Sequence, residues 1–542
     1  MFGQMSRSVS MAVDCRPAVA LEVDAGDAKA LYRRAQARER LEKIGPAFTD
    51  AKCALRLEPK NRAIEELLKS LMEKSAKMQE QATSTQSRVD QMLKCAFDSQ
   101  PDSVQPTETR IQALNNLVVL ARESGVGGEL IWQANICEKL MEIIQTDNDK
   151  EMALAAIRVL DELAKDKERC FRLIDQFGGF QRLCRLTNAR TDQQWEELPD
   201  AASALVQRLF NALGDMDRGK GKKSDAETCE KNKVQLIKLI IELEDMLTDP
   251  QIGVRSREAT IDLLLKNLMH MDEGLVRGWS WHFMEHRGLE KLLEVACQIP
   301  EQCAFPVSVE TRQHVAICLT RLYDDMVFDT RRALFKKKCD DFVKQKLDKI
   351  TDMQERVALC ACLITLLQGP VDIGFAYVAE QSVTGLMLSM AASDDVLHQS
   401  VAAELIVEAC GKRERASAIV AQGVPILKKL YDSKNDAVKA RALVGLCKCA
   451  SAGGDDISRQ TMAEGSSLKL AAACKKFIVD SKKSDEIRRF AIEGISYLTL
   501  DADVKDWFVQ EPELIRALVS VARKLGAIFV YDLASIFVNL TN

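Results

Sequence analysis

A helix, a glycine and a second helix recur along the chain about every 40 residues, and this period constrains the fold more than any other feature. From Glu151, apolar residues repeat at three- and four-residue steps, as they do on one helical face. Gly178 and Gly179 follow, and glycine readily adopts the left-handed conformation that ends a helix. Leu183 and Leu186 begin the next apolar stripe. The apolar positions of the first helix are Met152, Ala155, Ala156, Val159, Leu160 and Leu163.

The same pattern returns in the second half of the chain. Apolar stripes recur in the segments 400–430 and 437–454, and Gly385, Gly423 and Gly465 are predicted to separate helices. A period of about 40 residues is typical of armadillo and HEAT units, which bury their apolar faces against their neighbours. The sequence therefore predicts an all-α chain, an armadillo-type α-solenoid. The stripe residues are Ala402, Leu405, Ile406, Ala409, Leu443, Leu446, Cys447 and Ala450.

A different repeat opens the chain. In a 34-residue frame from Ala28, small residues occupy the positions where the two helices of a tetratricopeptide unit touch. These residues are Ala35, Ala47 and Ala54, and Pro59 closes the frame. A helix from Arg62 to Lys74, continuing beyond it, is predicted to cap this partial tetratricopeptide unit.

Two stretches interrupt the helical pattern. Residues 187–200 are predicted to be irregular, and residues 213–233 are predicted to form a mobile surface loop because they are rich in Gly, Lys and Asp. At the end of the chain, Leu533, Ile536, Phe537 and Leu540 form an apolar stripe with Ile528. No polar capping repeat follows this stripe, so it is predicted to be exposed and to bind a partner or a second copy of the chain.

The amino-acid composition argues against several classes of function. The chain has 75 Lys and Arg against 80 Asp and Glu, a formal charge of −5, and only 5% aromatic residues. It therefore lacks the basic field of a general nucleic-acid binder and the aromatic platforms of a single-strand binder. Seventeen cysteines in apolar runs predict buried thiols in a reducing compartment. With no signal peptide and no membrane span expected, a cytoplasmic location follows, without a membrane partner.

Motifs for catalysis or metal binding have weak support. His282 and His286 flank Glu285 in the H-x-x-E-H spacing of some zinc peptidases, but the segment also fits a packed repeat helix. The segment from Gly214 to Gly221 nearly matches the phosphate-loop motif, yet Gly221 occupies the position where the motif needs Ser or Thr. No nucleophile signature is present in the sequence. We therefore predict no enzyme, no cofactor and no metal site.

Two groups of basic residues are candidate partner sites. Lys29 and Arg33 lie one turn apart on the first predicted helix, where they could grip a carboxylate or belong to a solvated basic face. Residues 469–489 carry seven basic against three acidic residues, which suits an acidic partner or the charged outer face of a repeat. The residues of this candidate basic patch are Lys475, Lys476, Lys482, Lys483, Arg488 and Arg489, with Lys469 just before them.

The chain as a whole resembles the uncoordinated-forty-five proteins, the animal branch of the UCS family of myosin chaperones. The resemblance rests on the tetratricopeptide unit with Lys29 and Arg33, on WSWHFMEHRGLEKLLEVACQ from Trp279, and on the long segment from Cys410 to Gly454. It implies a tetratricopeptide domain that holds the acidic tail of the ninety-kilodalton heat-shock protein (Hsp90). It also implies a central armadillo domain and a UCS armadillo domain that grips the myosin motor domain.

The resemblance also sets expected domain boundaries. Residues 1–27 would be a variable tail, 28–95 the last tetratricopeptide unit with a connecting helix, 96–430 the central armadillo domain, and 431–542 the start of the UCS domain. Of the five residues that clamp a carboxylate in such tetratricopeptide domains, Lys29 and Arg33 are the two present. The chain is thus expected to be a form shortened at both ends, with its Hsp90 docking incomplete.

The leading functional hypothesis is an ATP-independent co-chaperone. It would bind, fold or protect the myosin motor domain and support thick-filament and sarcomere assembly in muscle. The alternative is an armadillo adaptor for another protein cargo. Nuclear-import receptors of that class carry a regular Trp and Asn ladder, whereas the five Trp here are scattered.

Overall fold

A computed structural model describes residues 27–97, 105–123, 125–146, 149–176, 197–269, 274–350, 352–378, 380–410, 417–451, 466–525 and 530–541. The described residues form 27 α-helices, and two isolated β-bridges are the only pairings of extended backbone among them. The chain divides into two compact units, Met1–Lys165 and Asp166–Asn542. The predicted all-α class is confirmed.

The first unit contains seven of these helices. They are α1 (Ala28–Arg40), α2 (Ile44–Leu57), α3 (Arg62–Phe97), α4 (Thr107–Glu123), α5 (Gly125–Gln133), α6 (Cys137–Thr146) and α7 (Lys150–Leu163).

The second unit contains the other twenty. The first ten are α8 (Lys167–Gln176), α9 (Glu197–Gly214), α10 (Ala226–Lys231), α11 (Lys233–Met246), α12 (Val254–Leu268), α13 (Trp279–Glu285), α14 (Gly288–Ala296), α15 (Val309–Asp325), α16 (Asp329–Asp348) and α17 (Met353–Gln368). The remaining ten are α18 (Val371–Val378), α19 (Gln381–Ala391), α20 (Val396–Ala409), α21 (Ser417–Tyr431), α22 (Asp436–Ser451), α23 (Ser466–Val479), α24 (Asp485–Leu498), α25 (Ala502–Val509), α26 (Pro512–Leu525) and α27 (Val530–Thr541).

The tetratricopeptide prediction matches α1 and α2. Ala35, Ala47 and Ala54 are fully buried where the two helices meet, since only small side chains let the backbones approach so closely. The Asp27 carboxylate accepts from the backbone N–H of Lys29 and Ala30 and begins α1 as an N-cap. The predicted capping helix is longer than expected, because α3 runs on to Phe97.

Within the second unit, one row of helices forms the framework. Helices α9, α12, α15, α17, α20, α22, α24 and α27 each pack against the next in the row. The predicted apolar stripes are confirmed in this row: Ala402 and Leu405 of α20 and Leu443 and Cys447 of α22 are fully buried. Each helix thus buries its stripe against its neighbours, as stacked repeats must.

The glycine prediction is wrong at two positions. Gly385 lies inside α19 and Gly423 inside α21, so neither ends a helix. A Cβ on Gly423 would lie 2.9 Å from Ile406 Cγ2, so this glycine permits close packing of α21 on α20. Gly178, Gly179, Leu183, Leu186 and Gly465 lie outside the described residues.

The two predicted interruptions contain more structure than the sequence indicated. Helix α9 begins at Glu197, inside the stretch predicted to be irregular, and residues 187–196 lie outside the described residues. The predicted loop at 213–233 holds a 3-10 turn (Arg218–Lys220), a bridge from Asp217 to Lys222, and α10. Lys167 and Lys222 both pair with Asp215 at 2.7 Å, and these ion pairs brace the turn.

The final apolar stripe is only partly exposed. Ile536 is fully buried against the core of the preceding helices, and Leu533 and Leu540 pack beside it. Phe537 is 41% exposed and Tyr531 79% exposed. The prediction of an exposed stripe is thus wrong for the residues that face α24, because α27 packs on that helix. Ile528 lies outside the described residues.

Candidate functional site

The candidate clamp residues lie on the outer face of α1. Lys29 and Arg33 are both exposed and one helical turn apart, and neither makes an ion pair within the described residues. Arg34 and Arg38 of the same helix instead pair with the buried Asp50 of α2, each at 2.7 Å. The helix therefore uses one basic pair to hold its partner helix and presents the other pair to solvent.

The candidate basic patch does not form a continuous charged surface. Arg488 is 5% exposed and donates to the backbone carbonyl of Ile478 at 3.0 Å, so it supports the turn between α23 and α24. Lys475 pairs with Glu511 at 2.6 Å, and Lys483 pairs with Asp436. Arg489 lies over the Phe490 ring. Lys476 and Lys482 are exposed to solvent.

A cluster of buried charges lies between α20, α22 and α24, and it was not among the sites predicted from the sequence. We call it the Arg441 cluster: Arg441 and Lys448 of α22, Glu404 and Glu408 of α20, and Glu493 of α24. The Arg441 guanidinium donates to both carboxylate oxygens of Glu404, to Glu408 at 3.1 Å and to Glu493 at 2.7 Å. Glu493 also pairs with Lys448 at 3.3 Å. One arginine thus connects three successive helices of the row.

Burial and charge act in opposite directions on these groups. Burial alone would raise the pKa of Glu493, but Arg441 and Lys448 hold that pKa below its ordinary value. Burial raises the pKa of Glu408, and Lys448 and Arg441 only partly offset it. Burial opposes the charge on Arg441, yet the surrounding carboxylates raise its pKa further above its usual range. Within the cluster, the charged forms of Arg441 and Glu493 are therefore stabilised by their partners, whereas burial opposes the charge on Glu408.

Aromatic rings cover both cations of the cluster. The Arg441 guanidinium lies 5.0 Å from the centre of the Phe490 ring, and Lys448 Nζ lies 5.2 Å from the centre of the Tyr497 ring. Charged groups with this number of internal partners leave few donors for an outside ligand. The sequence signal for the cluster was the presence of Arg441 and Lys448 within the apolar run of α22, together with Glu404 and Glu408 at an i, i+4 spacing in α20.

The weak zinc motif takes part in local packing. His282 Nδ1 lies 3.2 Å from a Glu285 oxygen, and the His282 ring meets Trp279 edge-on. His286 follows the end of the seven-residue α13. Over the described ranges, no group of three or more His, Cys, Asp or Glu side chains could hold a metal ion. Over the same ranges, no helix is both long enough and apolar enough to cross a membrane.

The stacked row of helices, preceded by a tetratricopeptide-like helix pair, defines a helical-repeat protein of the armadillo type. A family model described as myosin-binding striated muscle assembly central (UNC45-central) matches residues 258–474. Unc-45 homolog B of zebrafish, Danio rerio, is 35% identical over 525 residues, which are 96% of this chain and 55% of that protein. The chain belongs to the UNC-45 family.

Solved structures give the same result. The myosin chaperone UNC-45 from C. elegans, crystallised with a Hsp90 peptide, matches with a TM-score of 0.74 and 44% identity, covering 100% of this chain and 59% of that chain. An UNC-45 chaperone studied for its binding and folding of muscle myosin matches with a TM-score of 0.73 and 45% identity, over 100% and 60%. The chain thus spans between half and two thirds of the length of these relatives. The domain boundaries expected from the sequence stay a prediction.

Proposed function

We propose that this chain is an ATP-independent co-chaperone that binds the myosin motor domain and helps it to fold or resist aggregation. The observation that supports this most is the match of almost the whole chain to UNC-45 chaperones. A stacked row of helices offers an extended surface with many separate contacts, which suits a partly folded client. A cargo adaptor of another kind is not favoured by these relatives.

The proposal includes no catalytic step. The relatives are chaperones, and the buried charges of the Arg441 cluster pair with one another rather than opening onto a substrate cavity. We propose a cytoplasmic protein that acts beside growing thick filaments in the sarcomere. The binding energy for the client would come from surface contacts and not from nucleotide hydrolysis.

Thermal aggregation of a myosin motor fragment tests the proposal. We expect light scattering from the heated fragment to rise more slowly with an equimolar amount of this chain than with an inert protein of similar mass. Adding ATP and magnesium is expected to leave the effect of the chain unchanged. Equal scattering with the chain and with the inert protein would contradict the proposal.

For the first unit, we propose that Lys29 and Arg33 bind the terminal carboxylate of an acidic chaperone peptide such as that of Hsp90. Both head groups are exposed and aligned on one face, so a carboxylate can accept from both. We expect Lys29→Ala with Arg33→Ala to weaken binding of such a peptide at least tenfold in a fluorescence titration. The control is Arg40→Ala on the same helix, and equal loss in both proteins would contradict a specific clamp.

A further inference from the structure

Two pairs of cysteine thiols lie close together across three helices of the second unit. Cys410, the residue that ends α20, lies with its Sγ 3.6 Å from the Sγ of Cys449 in α22. Cys447 of α22 lies 3.7 Å from Cys474 of α23, also between sulfur atoms. All four residues are buried, and each pair joins two different helices. The two pairs therefore have similar geometry but different surroundings.

The surroundings favour reaction at the first pair. Cys410 is 6% exposed, whereas Cys447, Cys449 and Cys474 are fully buried. The Cys449 thiol donates to Cys410 Sγ. This hydrogen bond, with the nearby Lys448 ammonium, lowers the pKa of Cys410 in spite of its burial. Burial and the contact with Cys474 instead raise the pKa of Cys447.

We propose that Cys410 and Cys449 form a peroxide-sensitive dithiol that closes into a disulfide between α20 and α22, while Cys447 and Cys474 stay reduced. The Cys410 thiolate attacks hydrogen peroxide, and the O–O bond breaks to give Cys410 sulfenic acid and hydroxide. The Cys449 sulfur then attacks the sulfenic sulfur, its S–H proton leaves with the departing oxygen, and water is released. In total, two thiols are oxidised and one peroxide is reduced to two waters.

The existing geometry makes the closing step short. The two sulfur atoms need to approach from 3.6 Å to about 2.05 Å, a change that small side-chain rotations can supply. The bond would link residues 39 positions apart and fix α20 against α22. Glu408 lies two residues before Cys410, and Lys448 directly precedes Cys449, so the link adjoins the Arg441 cluster. This inference does not depend on the proposed function.

Thiol mapping of the folded chain tests the proposal. The protein is treated with hydrogen peroxide, quenched with catalase, denatured with an alkylating reagent and digested for mass spectrometry. We expect a disulfide-linked peptide joining Cys410 to Cys449, and full alkylation of Cys447 and Cys474. The exposed Cys303 reports that the oxidant has acted. Alkylation of Cys410 and Cys449 at doses that oxidise Cys303 would overturn the proposal, and so would an equal yield of the Cys447–Cys474 link.

Two matched variants separate the pairs. Cys410→Ser is expected to abolish the peroxide-induced link, whereas Cys474→Ser is expected to leave it unchanged. Peroxide is also expected to raise the thermal midpoint of the wild-type chain by several degrees, and the midpoint of the Cys410→Ser chain by none. A peroxide-induced link that still forms in Cys410→Ser, between other cysteines, would overturn the assignment to Cys410 and Cys449. This outcome can be read even if either variant is less stable than the wild type.

Discussion

Individual buried charged side chains hold parts of the second unit in place. The Arg257 side chain is fully buried and donates to the backbone carbonyls of Leu247, Ile252 and Asp249, so it fixes the turn between α11 and α12. Its guanidinium also lies 4.5 Å from the centre of the Phe305 ring. Burial lowers its pKa to about 10, which still leaves it charged at neutral pH. Arg257 therefore stabilises the backbone of this turn from inside the fold and is not a surface charge.

Glu244 supplies a pH-dependent contribution to stability. Its carboxylate accepts from the backbone N–H of Arg287 at 2.8 Å, next to the start of α14. Burial raises its pKa from 4.5 to about 7, against the opposing charge of Lys291. The folded chain thus binds this proton more tightly than the unfolded chain does. Stability from this group is present at low pH and is lost as the pH rises through about 7.

We therefore expect Glu244→Gln to flatten the pH dependence of unfolding. Between pH 5 and pH 8, the wild type is expected to lose about 2 to 3 kcal/mol more unfolding free energy than the variant does. Urea unfolding at the two pH values measures this difference. The exposed Glu227→Gln is the control and is expected to behave as the wild type. Parallel pH profiles for wild type and Glu244→Gln would contradict the prediction.

At the scale of elements, glycines inside helices have opposite roles. A Cβ at Gly374 of α18 would lie 2.6 Å from backbone atoms of Leu366 and Leu367, which cannot move aside. A Cβ at Gly385 of α19 would meet nothing within 4 Å. One glycine is needed for close packing of α18 on α17, and the other only weakens its own helix.

Alanine substitution separates these roles. Gly374→Ala is expected to lower the unfolding free energy by roughly 3 kcal/mol, because the added methyl group collides with main chain. Gly385→Ala is expected to raise it by about 0.5 to 1 kcal/mol, because alanine loses less backbone entropy in a helix. Denaturant unfolding of both variants measures these changes in unfolding free energy. A change of the same sign in both variants would contradict the prediction.

The elements also show where sequence reasoning succeeds. The stripes around Ala402 and Leu443 predicted real helices, because an apolar period of 3.6 residues is a local property of the chain. The glycine prediction failed at Gly385 and Gly423, because a glycine that ends a helix and one that admits a neighbouring helix look alike in sequence. The basic patch likewise contains Arg488, whose burial depends on the packing of α23 against α24.

At the scale of the whole molecule, the chain forms two compact units. We expect scanning calorimetry to resolve at least two unfolding transitions, since each unit buries its own apolar residues. Ala47→Leu overpacks the buried contact of α1 with α2 and is expected to lower only the transition of the first unit.

Arg441→Met is expected to destabilise only the second unit, lowering its unfolding free energy by about 3 to 5 kcal/mol and so its transition temperature. The reason is that the substitution leaves the carboxylates of the Arg441 cluster without their central cation. The exposed Arg523→Met serves as its control. A single transition that both Ala47→Leu and Arg441→Met lower equally would contradict the division into two units.

The sequence by itself determined the helical class and the tetratricopeptide-like opening of this chain, because both follow from the local spacing of apolar and small residues. Only the tertiary structure decided which charged side chains are exposed and which form ion pairs or hydrogen bonds within the fold. Lys29 and Arg33 remain exposed while Arg34, Arg38 and Arg488 are used within the fold, and Arg441 gathers carboxylates from two other helices. Those partners lie 10 to 52 residues apart in the chain, and only the stacking of helices brings them together.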